Sequence, residues 1–184
     1  MSRVPPGQAV VPRLQVFTWG QPPVVSAQSW RLALEGLVER PRELSWSEWR
    51  ALPRRALVAD FHCVTGWSRL DNLWEGVLLD TLWELVGLRA DARFLLVHCH
   101  GGYTTNLPLE ALRGEASLLA DTLDGRPLPP AHGAPVRLVV PGRYAYKSAK
   151  WVRSLELSAA DQPGFWESRG YHPAADPWKE ERFA

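Results

Sequence analysis

A chain of 184 residues has the length of a single sizeable domain, and 46% hydrophobic with 22% charged residues exclude a disordered or fibrous class. Twenty-one Lys and Arg against 20 Asp and Glu leave a formal charge of +1, so no overall field draws the chain to nucleic acid or to an anionic membrane. Two cysteines exclude a disulfide-dense scaffold, while ten tryptophans and 16 prolines point to short elements and wide flat packing surfaces.

In chain order, residues 1–28 are rich in Pro, Gly, Gln and Val without a period and read as an extended arm lying on a domain of residues 29–184. The stretch "MSRVPPGQAVVPRLQVF" lacks the apolar run of a signal peptide, and Arg54-Arg55 is internal. No apolar run approaches the ~20 residues of a membrane span. The reading is a cytoplasmic protein, or a periplasmic one if an upstream signal has been removed. "WRLALEGLV" alternates Trp30, Leu32 and Leu34 against polar or small residues, the period of a half-buried strand. Ser45 and Glu48 have capping-box spacing ahead of a short helix that Pro53 stops.

"ALVADFHCV" is strand-like and ends at Cys63, after which "GWSRLDNLW" reads as a turn. Asp80 is placed to cap the helix "TLWELVGL", with Leu82, Leu85 and Val86 on one face and Gly87 at its end. "RFLLVHCH" is a strand, and "YTTNLPLEALRG" a strand followed by a Pro-started helical turn. Asp124-Gly125 marks a hairpin, and "PVRLVVP" and "KWVRSLELS" complete the strands. Strands and short helices alternate without a βαβ rhythm or a glycine fingerprint, so the expected class is α+β with a mixed sheet.

Residues with chemical potential fall into three clusters, "FHCVTGWS", "HCHGGYTTN" and "HGAPVRLVVPGRYAYKSAKW", each starting at a predicted strand end. Zinc would recruit Cys63 and His62 with His98, Cys99 and His100, but neighbours on a strand face opposite ways and the spacing is not that of a zinc site. A cysteine-dependent hydrolase would pair Cys63 with His98, His100 or His132 as base, although no helix N-terminus follows Cys63 to activate it. In the third cluster Arg137, Arg143, Lys147 and Lys150 surround the turn "YKSA", a candidate phosphate cradle or a solvated basic edge.

Taken together, "FHCVTGWS", "WEGV", "YTTNLPLE", "HGAPVRLVVPGRYAYKSAKW" and "GFWESRGYHPAADPWKEERF" resemble the molybdopterin-binding domain of the sulfite oxidase family. The likeness extends from about Trp30 to the C-terminus, and is greatest to the stand-alone members and to catalytic subunits of periplasmic methionine-sulfoxide reductases. It implies the family's α+β fold, a molybdenum–molybdopterin cofactor and Cys63 as the protein's single ligand to the metal. A thiolate on a rigid strand end suits a soft metal already held by dithiolene sulfurs.

By the same likeness His132 and Arg137 fall at pterin and phosphate contacts, and Ser148, Ala149 and Lys150 at the phosphate-binding turn. Cys99 stands where relatives put a pterin-contacting residue, and Phe17 and Thr18 where a stretch of the reductase lies over the cofactor. Tyr103 matches a tyrosine near the metal, where its phenol can serve substrate, or else it is a core-facing strand residue. His62 is either a pterin contact or a satisfied core histidine.

One departure bears on substrate. Sulfite oxidases carry arginine shortly after the ligand cysteine, whereas Trp67-Ser68 occupy that stretch here and Arg69 follows. The expected reaction is therefore oxygen-atom transfer with a small S-oxide or N-oxide rather than sulfite. With no C-x-x-C-H haem motif, electrons are expected from a separate protein, a haem protein or a quinone-linked subunit. A non-catalytic binding domain of the same fold is the remaining alternative.

Overall fold

The computed structural model describes residues 2–113 and 117–184; the tail of "YTTNLPLEALRG" at Gly114 lies outside the described residues. In chain order the strands are β1 (Ala9–Val10), β2 (Arg31–Gly36), β3 (Arg42–Ser45), β4 (Arg55–Cys63), β5 (Trp67–Leu78), β6 (Phe94–Cys99), β7 (Thr104–Pro108), β8 (Leu118–Leu123), β9 (Arg126–Pro127), β10 (Arg137–Val139) and β11 (Val152–Ser158). Two short helices, α1 (Trp46–Ala51) and α2 (Leu79–Val86), and several single 3₁₀ turns interrupt them.

Among the described residues the strands form two sheets. One has five strands in the order β3-β2-β11-β6-β7, with β2 and β11 parallel and the other pairs antiparallel. The other has six, built around the long strand β5, which pairs with β4, with β8 and, in parallel, with β1. The architecture is α+β with mixed sheets, and no helix among the described residues is long and apolar enough to cross a membrane.

The period-2 pattern of β2 acts as read: Leu32 and Leu34 are fully buried, as is Trp30 just before them. Each buries a side chain worth roughly 1.5–3 kcal/mol. Trp30 donates its indole N–H to the Val152 carbonyl at 2.8 Å and meets Trp49 edge to face at 5.6 Å. That contact ties β2 and α1 to β11. The Ser45 hydroxyl accepts from the Glu48 N–H while the Glu48 carboxylate accepts from the Ser45 N–H, so α1 starts on a complete capping box. Asp124 and Gly125 take φ of 52° and 72°, the left-handed pair of a tight hairpin between β8 and β9.

Two expectations are corrected. The turn after Cys63 is only Val64–Gly66, closed by Gly66 at φ 98°, and Trp67 already begins a 12-residue strand. The polar residues that suggest a turn, Ser68 and Asn72, are buried and satisfied inside the sheet. Ser68 bonds to His62 and Gln8, and Asn72 donates to the Ala59 and Arg69 carbonyls. Asp80 is not a helix cap: β5 runs directly into α2, so extended Leu78 is the N-cap and Asp80 lies in the first turn.

Buried side chains form two clusters. The larger gathers residues of the five-stranded sheet and α2, among them Leu34, Leu82, Val97 and Leu155. The smaller belongs to the six-stranded sheet and contains Phe61, Cys63, Trp67, Trp74 and Leu118. The end of that smaller cluster opens into a cavity.

Candidate functional site

The register of β4 with β5 sets Cys63 directly across from Trp67 and His62 across from Ser68. Because side chains alternate along a strand, the two pairs occupy opposite faces. Cys63 and Trp67 line a cavity of about 380 Å³; His62 and Ser68 do not. His62 instead approaches the Ser68 hydroxyl at 2.7 Å through Nδ1 and meets Trp178 edge-on. Burial lowers its pKa, so the ring is neutral at pH 7. It is a structural histidine behind the cavity wall.

Cys63 is 8% exposed and is a free thiol. Its carbonyl accepts from the Gly66 N–H at 3.0 Å and from the Gln8 side-chain amide at 3.1 Å. Its Sγ accepts from the Thr65 hydroxyl at 3.1 Å. Cys63 is thus held on a strand end by two contacts to its carbonyl, one of them from the N-terminal arm, and one to its sulfur.

The third cluster divides in two. Arg137 and Lys150 line the cavity, and neither forms an ion pair with a carboxylate among the described residues. Arg137 is 4% exposed and donates to the His132 and Ser148 carbonyls at 3.0 and 2.7 Å, its guanidinium lying over Phe61 and Trp74. Burial pulls its pKa down to about 9, which leaves it charged at neutral pH. The Lys150 ammonium donates to the Phe17 carbonyl (2.7 Å), the Thr18 hydroxyl (3.0 Å) and the Ala131 carbonyl (3.0 Å). Burial, and then Arg137, lower its pKa to about 8. His132, also on the cavity, is kept neutral at pH 7 by burial and by Arg137, Lys150 and Arg69.

Lys147 corrects the expectation of a four-cation cradle. It is fully buried, donates to the Asn106 carbonyl at 2.8 Å and is paired with Glu167, so it holds the frame rather than a ligand. Arg143 is not among the residues lining the cavity either. Ser148 and Ala149 do line it, and the Ser148 hydroxyl accepts from the Val140 N–H, fixing the turn.

The arm closes one side. Leu14, Gln15, Phe17, Thr18 and Trp19 line the cavity, with Phe17 stacked near Trp67 at 6.3 Å and Trp19 against Phe165 at 4.4 Å. Tyr103 also lines it; its phenol donates to the Tyr146 carbonyl, and burial keeps it protonated. Cys99 does not line the cavity: it sits in the larger core, its thiol pushed up by burial. His98 faces away, bonded to Glu156 at 2.7 Å in a separate polar hollow with Glu35 and Arg153.

Sequence reasoning did not single out Tyr146, Trp151, Trp166 and Tyr171, which complete an aromatic wall. The signal for Trp166 and Tyr171 was the aromatic run "GFWESRGY". These residues fit a large, flat, anionic ligand. Buried Arg137 and half-buried Lys150 lie on neutral oxygens only, neutral His132 adds a polar edge, and the Trp67 indole N–H is buried without a partner. Unpaired polar groups and charges of this kind are costly unless a ligand answers them.

Comparison with known proteins bears on that ligand. A model of the family described as "Oxidoreductase molybdopterin binding domain" matches residues 19–166. The chain is 44% identical over 183 residues to the uncharacterized oxidoreductase YuiH of Bacillus subtilis (strain 168), covering 99% of this chain and 92% of that one. It is 32% identical over 148 residues to a putative protein-methionine-sulfoxide reductase subunit, YedZ1, of Azospira oryzae, covering 80% of this chain and 56% of that one. The sulfane dehydrogenase SoxCD from Paracoccus pantotrophus shares the fold with a TM-score of 0.70 at 25% identity, over 76% of this chain and 40% of that one. The chain spans nearly all of YuiH but 56% of YedZ1 and 40% of the SoxCD chain.

Proposed function

This chain belongs to the oxidoreductase molybdopterin-binding domain family, molybdenum-dependent oxidoreductases with a molybdenum–molybdopterin cofactor, and on that premise we propose that Cys63 is the protein's ligand to the metal and that the site reduces a neutral S-oxide or N-oxide. When bound, the cofactor supplies a two-electron change and the exchange of one oxygen atom with substrate. Reduction of the oxide then consumes two electrons and two protons and releases water. The electrons come from a separate protein, a haem protein or a quinone-linked subunit.

The chain's own residues divide the work. Arg137 and Lys150 neutralise the phosphate, with Ser148 and Ala149 shaping the turn around it. His132, neutral, hydrogen-bonds the pterin edge, and Phe17 and Thr18 cover it from the arm. Tyr103 joins two walls through the Tyr146 carbonyl and presents its ring to the substrate space. His62 and Cys99 act from behind, as packing.

One observation carries the choice of a neutral substrate. Of the residues that follow Cys63, Trp67 faces the cavity, Ser68 turns to the other face, and Arg69 is held by Asn72 at 2.8 Å and by Asp124. An anion shielded from water needs a paired cation, whereas a neutral oxide needs a donor and an apolar wall.

The test is a pair of steady-state assays on one preparation, sulfite with an electron acceptor and dimethyl sulfoxide or trimethylamine N-oxide with a reduced dye. The expected result is higher catalytic efficiency on an oxide. Efficiency on sulfite above that on every oxide tried would overturn the substrate assignment. Cys63→Ser should lose the metal's thiolate and with it turnover, and full activity in that variant would overturn the ligand assignment.

A further inference from the structure

We propose that Thr65 is a positioning residue that sets the reduction potential of the metal centre through the sulfur of Cys63, an inference that rests on the reading of Cys63 as ligand. The two-residue offset within the Val64–Gly66 turn folds the Thr65 hydroxyl back onto Cys63 Sγ at 3.1 Å. The turn is pinned at both ends, by the Gly66 N–H on the Cys63 carbonyl and by Gln8, which grips the same carbonyl and accepts from the Ser68 hydroxyl. The hydroxyl is therefore held over the sulfur by backbone that the sheet and the arm fix together.

A hydroxyl donating to a thiolate makes a charge-assisted hydrogen bond. With a metal bound at Cys63, the sulfur would carry more negative charge in the reduced state than in the oxidised one, and the bond from the Thr65 hydroxyl would strengthen accordingly. The donor stabilises the reduced state over the oxidised one and raises the potential, as hydrogen bonds to cluster sulfurs do. For a centre that draws electrons from a partner and passes them to an oxide, this eases the reduction half of the cycle. Thr65 also lines the cavity, so the bond lies where substrate and solvent can sense it.

The experiment uses cofactor-loaded wild type, Thr65→Val, Thr65→Ser and Cys63→Ser, with metal and pterin content, absorption spectra and mediated redox titrations followed by electron paramagnetic resonance. Val keeps the shape of Thr without its hydroxyl, and Ser keeps the hydroxyl. The expected result is full cofactor in both Thr65 variants, a potential lowered in Thr65→Val and one near wild type in Thr65→Ser. A tenfold loss of preference for the reduced state is a shift of about 59 mV in a one-electron couple. Equal potentials in wild type and Thr65→Val overturn the proposal, as does loss of cofactor in Thr65→Val alone, which would make the bond a matter of retention. Failure of the ligand reading looks different: the sulfur-to-metal charge-transfer absorption of wild type would then persist unchanged in Cys63→Ser.

Discussion

Lys147 and Lys150 belong to one short segment, "YKSAK", yet their ammonium groups are in opposite electrostatic situations. Lys147 is sealed against Glu167 and the side chain and carbonyl of Asn106, so its charge is cancelled inside the frame. Lys150 spends its donors on two carbonyls and a hydroxyl, and Arg137 beside it spends its own on carbonyls. A buried cation opposite a carboxylate is part of the scaffold. One that meets only neutral oxygens keeps its positive field for an anion that arrives later.

The largest effect should come from breaking the paired cation. Glu167→Gln or Lys147→Met leaves the other partner buried and uncompensated, at a cost of ~3–5 kcal/mol. Urea denaturation of the cofactor-free protein measures it, and a Lys147→Met/Glu167→Leu double variant should recover most of the loss. If either single variant kept wild-type stability, the distinction between the two lysines would fall.

The unpaired cations should behave in the reverse manner. Arg137→Met or Lys150→Met should cost the cofactor-free protein far less than the Lys147 variants. Each should weaken retention of cofactor by roughly tenfold or more, since a charge-assisted contact to phosphate is worth ~1.5–3 kcal/mol. Molybdenum and pterin content after dialysis reads this directly. Retention equal to wild type in both variants would turn the segment back into an inert basic edge.

The smallest effect is on pH dependence. Burial holds the Lys150 ammonium at a pKa of about 8, below its ordinary value of 10.5, so between those values the unfolded chain holds a proton that the folded chain has released. Stability rises with pH wherever the unfolded state binds more protons. The cofactor-free protein should therefore carry the full penalty below pH 8 and gain stability as pH climbs through the window. Lys150→Met should flatten that rise in denaturation curves taken across it.

Much of the frame was legible because its signals are local. The alternation of Trp30, Leu32 and Leu34, the Ser45–Glu48 box and the Asp124-Gly125 turn each depend on residues within a few positions. The start of β5 was not legible, because Ser68 and Asn72 are satisfied by His62, Gln8 and Ala59, partners brought in by folding. For the site, the family resemblance pointed to residues that line one cavity, from Phe17 and Cys63 to Arg137 and Lys150. It also pointed to His62, which strand parity sends to the other face, and to Cys99, which the core absorbs. Nothing near Lys147 announces Glu167, so separating frame from cradle needed the structure.

The parallel pairing of β2 with β11 sets Leu34 beside Leu155, and the walls of the cavity run from Leu14 to Tyr171. Contacts so distant along the chain close large loops before they return any stabilisation, which slows folding. No fragment of this chain therefore owns the site, which is complete only once segments as far apart as Leu14 and Tyr171 have come together. A ligand that binds the finished fold and not the unfolded chain holds the whole molecule together by mass action. Starving a cell of that ligand should thus lower the lifetime of the protein as well as its activity.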